Sequence, residues 1–93
     1  MILGGLSDIR PIDEEVTNLV NNFKNKFEQE RYKTNKFKPV SYRIQIVNGT
    51  NYFVKVETDN EFVHLKIYQN LSQESDYLSS KINKKMEDEI KYF

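Results

Sequence analysis

Between Val40 and Gln69 the chain alternates apolar and polar residues in three successive runs, separated by turn-forming pairs. This is the pattern that most narrows the fold. Val40, Tyr42, Ile44 and Ile46 share one parity, and Ser41, Arg43 and Gln45 the other. A period of two puts the first set on one face of a strand. Asn48-Gly49 follows, a strong short-range hairpin signal because both residue types tolerate positive φ. The return run, Thr50 to Thr58, sets Tyr52, Val54 and Val56 against Phe53, Lys55 and Glu57. After Asp59-Asn60 a third run, Phe62 to Gln69, sets Val63, Leu65 and Ile67 against His64, Lys66 and Tyr68. The expectation is a three-stranded antiparallel meander with one apolar face to cover.

The cover lies upstream. Ile12, Val16, Leu19, Val20, Phe23 and Phe27 recur at helical spacing, with polar residues between them. Asp13 is the expected N-cap, and Glu14 and Glu15 suit the positive end of the helix dipole. The spacing predicts one helix over about 13–31, and Pro39 prevents continuation much further. A single apolar stripe requires a broad partner, which the meander supplies. Residues 1–10 lack periodicity and carry Gly4-Gly5, so they read as a mobile leading segment. The polar, serine-rich stretch 70–80 reads as a loop. In residues 81–93, Ile82, Met86, Ile90 and Phe93 have helical spacing, while Glu89 to Phe93 also suits an edge strand. With 93 residues, no repeat and no linker, the chain reads as one domain, 1–93, of the α+β class.

Charge and composition exclude several functions. Lys+Arg and Asp+Glu number 14 each, which speaks against a nucleic-acid binder. No apolar run approaches the roughly 18 residues of a membrane span. The absence of cysteine removes thiol catalysis and thiolate metal sites and suggests a reducing compartment, the cytoplasm. The opening Met1-Ile2-Leu3-Gly4-Gly5-Leu6 does not read as a signal peptide. His64 is the sole histidine and is expected to be a half-exposed sheet residue rather than a catalytic one. No carboxylate spacing suggests a metal or an acid–base pair, and no cofactor is expected.

Gln45-Ile46-Val47-Asn48-Gly49 is uncharged in a chain that is 30% charged. Pattern alone leaves this hairpin tip open between a plain turn and a docking element. Its residues fit the Gln-x-Val-x-Gly signature of the cystatins. Met1-Ile2-Leu3-Gly4-Gly5-Leu6-Ser7, Val63-His64-Leu65-Lys66-Ile67 and Asp88-Glu89-Ile90-Lys91-Tyr92-Phe93 resemble segments of the stefins, the intracellular cystatins without disulfides. The resemblance implies an antiparallel sheet wrapped around one long helix, and Tyr92 and Phe93 paired along that sheet. It also implies a reversible inhibitor of papain-like, cathepsin-type cysteine proteases, which blocks the cleft with a wedge of three segments. These are a trunk at Leu3, Gly4 and Gly5; the hairpin Gln45, Ile46, Val47, Asn48 and Gly49; and a second loop at Leu71 and Ser72. Gln45 would brace the hairpin rather than touch the enzyme.

The sequence departs from the family in having Leu71-Ser72 where Leu-Pro is common, which should loosen the loop, and Asn48 where Ala is frequent. Glycosylation acceptor patterns, Asn48-Gly49-Thr50 and Asn70-Leu71-Ser72, fall on both proposed contact loops. The expected state is a monomer, with a domain-swapped dimer available if the first hairpin opens. The competing reading is a non-inhibitory binding module on the same fold.

Overall fold

The helical segment begins where the sequence places it. In the computed structural model, which describes residues 5–93, Asp13 caps α1 (Glu14–Asn21), and its carboxylate accepts the Val16 N–H at 2.8 Å. That bond satisfies an orphan donor of the first turn. The other carboxylate oxygen accepts the Tyr42 hydroxyl at 2.8 Å, which ties the helix start to the sheet. The Val16 bond first, and the Tyr42 bond second, hold the Asp13 carboxyl below the usual carboxylate value.

The helix predicted over 13–31 is not continuous. It divides into α1 and α2 (Lys24–Glu30). At the break the Phe23 N–H bonds the Val20 carbonyl at 2.9 Å, an i→i−3 contact that tightens the turn. Asn21 and Asn22 are weak helix formers, because their side chains compete for backbone groups. The stripe survives the break: Val16, Val20, Phe23 and Phe27 are all buried.

The sheet has five antiparallel strands in sequential order, β1 (Arg10–Pro11), β2 (Phe37–Val47), β3 (Gly49–Thr58), β4 (Phe62–Gln69) and β5 (Ser75–Lys84). β2 starts earlier than the alternation predicts. Its register against β3 shifts between Pro39 and Ser41. Val40 is the extra residue of this bulge, which also accommodates a proline in a paired strand. Phe37 therefore joins Tyr42, Val54, Val56, Val63, Leu65 and Ile67 in the core under the helices.

The predicted 70–80 loop holds only for residues 70–74; β5 replaces its second half, from Ser75, and the helical alternative for residues 81–84. The strand was hidden because its inward positions are partly polar. Ser80 Oγ donates to Glu30 at 2.9 Å and accepts from Arg31 Nε at 3.0 Å. The Tyr77 hydroxyl donates to Glu30 at 2.8 Å. Hydrogen bonds to the end of α2 do here what apolar side chains do elsewhere. A register shift in β4–β5 leaves Leu78 without a partner and breaks the period-two signal.

Residues 85–93 form neither helix nor strand, so Tyr92 and Phe93 do not pair along the sheet. They pack on its outer face instead. Phe53 has ring centroids 5.8 Å from Tyr92 and 5.5 Å from Phe93. Lys66 Nζ donates to the Phe93 carbonyl at 2.8 Å and lies 4.9 Å from the Tyr92 ring centroid. Phe53 and Ile90 are fully buried. The sheet thus has a second small core, which a one-faced reading of the meander does not foresee.

His64 lies in this second layer. It is 2% exposed rather than half-exposed, and its Nε2 has no partner among the described residues. Burial first, then the neighbouring Lys55 and Lys84 charges, lower its pKa from 6.5 to about 4, with Asp88 opposing them. The folded form therefore keeps His64 neutral where the unfolded protein would take up a proton. Stability is fully present above pH 6.5 and declines as pH falls towards 4. Discounted for residual solvent screening, the loss due to His64 is about 1–2 kcal/mol. Denaturant unfolding at pH 7 and pH 4 should show that loss in the parent and a smaller one in His64→Gln. An equal pH dependence in both proteins would remove His64 as the cause.

Candidate functional site

Strand register brings three segments to one end of the sheet. Val47 pairs with Gly49 across the β2–β3 turn. Thr50 pairs with Gln69, the last residue of β4, so the β4–β5 turn opens at the same end. The third segment arrives along the free edge of β2. The Ser7 N–H donates to the Ile44 carbonyl at 2.8 Å, and Ser7 Oγ accepts the Ile44 N–H at 3.0 Å. Exposed Gly5 is thereby held near the first hairpin. Residues 5–10, expected to be mobile, are anchored by these bonds and by the Arg10–Tyr42 pairing of β1. Leu3 and Gly4 lie outside the described residues.

The first hairpin is braced from within. Gln45 is buried, and its side-chain oxygen accepts the Asn51 amide at 2.8 Å. Beyond it Ile46 is 60% and Val47 42% exposed. The turn is not the two-residue Asn-Gly type, which requires positive φ at both positions. Among the described residues only Gly49, Gln73 and Asn83 have positive φ, Gly49 at 113°. Asn48 is alone at the apex, and its carbonyl accepts the Tyr68 hydroxyl. A Cβ on Gly49 would stand 2.5 Å from the Gln69 carbonyl and 2.9 Å from the Tyr68 hydroxyl. The glycine is thus required twice, for conformation and for the close approach to β4.

The second loop lacks proline yet is not loose. Asn70 Oδ1 accepts the backbone N–H groups of Ser72 and Glu74, both at 2.9 Å. Asn70 Nδ2 donates to the Glu74 carboxylate at 3.0 Å, and the Asn70 N–H donates to the Glu74 carbonyl at 2.9 Å. One asparagine clasps the whole turn. Leu71, 78% exposed, projects from it beside the exposed Ser72. Tyr68 and Asn70 are the two supports that sequence reading missed. Tyr68 sits in the polar parity of its strand and gives no signal. Asn70 stands at the start of a turn, where its type is informative.

This end of the molecule presents Ile46, Val47 and Leu71 to solvent on braced backbone, with no charge from Gln45 to Gly49. Such a surface can desolvate an apolar cleft without stranding a charge. His64 lies in the outer-face layer and forms no hydrogen bond with a serine among the described residues. Those residues contain no cluster of three His, Cys, Asp or Glu side chains arranged for a metal ion. None of their helices is long and apolar enough to cross a membrane.

A family model for the cystatin domain matches residues 4–91. The chain belongs to the cystatin family. The observed α+β architecture, a sheet packed against the helical segment, agrees with that assignment. Cystatin-A2 of Dictyostelium discoideum is 42% identical, covering 98% of this chain and 97% of its own. Leukocyte cysteine proteinase inhibitor 1 of Sus scrofa is 36% identical over 100% of this chain and 95% of its own. Cystatin-A of Homo sapiens is 35% identical over the full length of both proteins. The similarity to cystatins thus spans the helices, the whole sheet and both loops.

Proposed function

We propose that this cystatin is a reversible, tight-binding inhibitor of papain-like cysteine proteases of the cathepsin type. It acts as one domain in the cytoplasm, as a monomer, and is not an enzyme. The observation that carries the reading is the convergence of the β2–β3 tip, the Asn70–Glu74 loop and the leading segment at one sheet end, with apolar side chains outward. Leu3, Gly4 and Gly5 form the trunk. Ile46, Val47, Asn48 and Gly49 form the central contact, and Leu71 and Ser72 the outer one. Gln45 supports the tip from inside.

The energetics favour a blocker over a substrate. Tip and loop are held by internal hydrogen bonds, so little conformational freedom is lost when they dock. The gain is the apolar area of Val47, Ile46 and Leu71. No peptide bond of the inhibitor needs to lie in line with the enzyme's thiolate.

Titration of papain tests the reading. Inhibition should reach completion near one-to-one stoichiometry. Val47→Glu should weaken it about 100-fold, because a carboxylate would lose its water inside the cleft. Leu71→Glu should act in the same direction with a smaller effect. Absence of inhibition by the parent at micromolar concentration would instead favour the non-inhibitory binding module, the reading to which the polar Ser72 lends support.

The trunk is tested separately. Removal of residues 1–4 should speed dissociation from papain while leaving the association rate nearly unchanged. An unaltered dissociation rate would remove the trunk from the contact. Opening the first hairpin into a swapped dimer should cost inhibition, since the Val47 tip would be drawn into a continuous ribbon.

A further inference from the structure

We propose that the Asn48–Gly49 peptide is a site of spontaneous self-modification, in which the Asn48 carboxamide condenses with the Gly49 nitrogen and ends as a carboxylate at the hairpin tip. Three observations support the chemistry. Asn48 is exposed at the apex, and its carboxamide has no partner among the described residues. The residue after Asn48 is glycine, which adds no side chain beside the attacking nitrogen. The Tyr68 hydroxyl donates to the Asn48 carbonyl, the oxygen of the very peptide that must react.

The steps balance without any redox partner. Solvent hydroxide removes the Gly49 amide proton, and the charge left behind spreads onto the Asn48 carbonyl oxygen. A hydrogen bond to an anionic oxygen is roughly twice as strong as one to a neutral oxygen, so Tyr68 stabilises the reacting form more than the resting form. The Gly49 nitrogen then attacks Asn48 Cγ. A bond forms between that nitrogen and Cγ, Nδ2 takes a proton from the water formed in the first step, the bond from Cγ to Nδ2 breaks, and Nδ2 departs as ammonia. The product is a five-membered imide. Water opens it at either carbonyl. Opening at Cγ gives aspartate on an unchanged backbone. Opening at the former main-chain carbonyl gives isoaspartate, with the backbone now running through Cβ.

Asn70 serves as an internal contrast. It also lies at a turn in the same end of the sheet, but its amide is engaged by Ser72 and Glu74 and its successor is leucine. A clasped amide cannot turn towards the following nitrogen, and leucine, unlike glycine, crowds the approach. Modification should therefore separate the two loops, reaching the first and sparing the second.

The consequence for inhibition rests on the reading of the tip as protease-facing. Either product places a negative charge in the uncharged run Gln45 to Gly49, and isoaspartate also lengthens the turn whose register holds Gly49 against Gln69. The tip would then inactivate with age at neutral and alkaline pH.

The test is incubation of the full-length protein at 37 °C and pH 7 to 9, followed by peptide mapping and isoaspartate detection. Asn48 should convert ahead of Asn70, with a rate that rises with hydroxide. Tyr68→Phe should slow conversion about tenfold. Equal conversion of Asn48 and Asn70, or an intact Asn48, would overturn the proposal; an unchanged rate in Tyr68→Phe would overturn the part assigned to that hydroxyl. Papain titration of Asn48→Asp is read separately. Full inhibition by this variant alongside rapid conversion of the parent supports the chemistry and overturns the protease-facing reading of the tip.

Discussion

Gly49→Ala should weaken inhibition of papain about 100-fold and cost about 1–3 kcal/mol of stability. The native φ of 113° is a region that side chains disfavour, and the added Cβ meets the Gln69 carbonyl at 2.5 Å. A backbone oxygen paired in a sheet cannot withdraw in the way that the end of a flexible side group does. The turn must move instead, and the Tyr68–Asn48 bond that seats it is broken or bent. Once unseated, Ile46 and Val47 occupy many positions, of which few fit a cleft. If about 1% of molecules retain the native tip, apparent affinity falls by the same factor. The core below is untouched, so circular dichroism should report the native fold at 25 °C. Inhibition within threefold of the parent would show that the glycine is dispensable.

That prediction separates what the sequence discloses from what it conceals. Alternation from Val40 to Gln69 disclosed β2, β3 and β4, because their inward positions are mostly apolar and evenly spaced. The helical stripe disclosed the cover, since Val16, Val20, Phe23 and Phe27 stay in line across the break at Asn22–Phe23. β5 stayed concealed because Ser80 and Tyr77 satisfy α2 through hydrogen bonds, and because a bulge at Leu78 disrupts the period. The outer-face layer stayed concealed for a different reason. Phe53 occupies a position that alternation assigns to solvent, and the residues that cover it are distant in sequence. At the candidate site the neutral tip and its signature were legible, whereas its supports were not. The approach of Gly49 to Gln69 and Tyr68 is a product of three-strand register, which no local pattern encodes.

Phe53→Ala should be the most damaging single truncation on the outer face, at about 3–5 kcal/mol. The ring is fully buried on a face that an isolated meander would leave wet. It contacts Tyr92 and Phe93, and Lys66 Nζ lies 5.4 Å from its centroid. Lys66 is also bonded to the Phe93 carbonyl, so the aromatic contacts and that bond hold the tail together. Without the ring the tail loses its seat, and Ile90 and His64 gain access to water. A domain of 93 residues has a total stability of about 5–15 kcal/mol, so this loss is a large part of it. Tyr92→Ala, at a residue 62% exposed, should cost about 1 kcal/mol or less. The asymmetry between the two variants distinguishes a packed second core from an adventitious fold of the tail. Urea denaturation of both supplies the measurement, and a Phe53→Ala cost below that of Tyr92→Ala would contradict the second core. The binding end lies at another part of the molecule, built from turn bonds that Phe53 does not make. The folded fraction of Phe53→Ala should therefore inhibit papain with unchanged affinity, because the tail contributes to the persistence of the sheet and the tip to its contact with the protease.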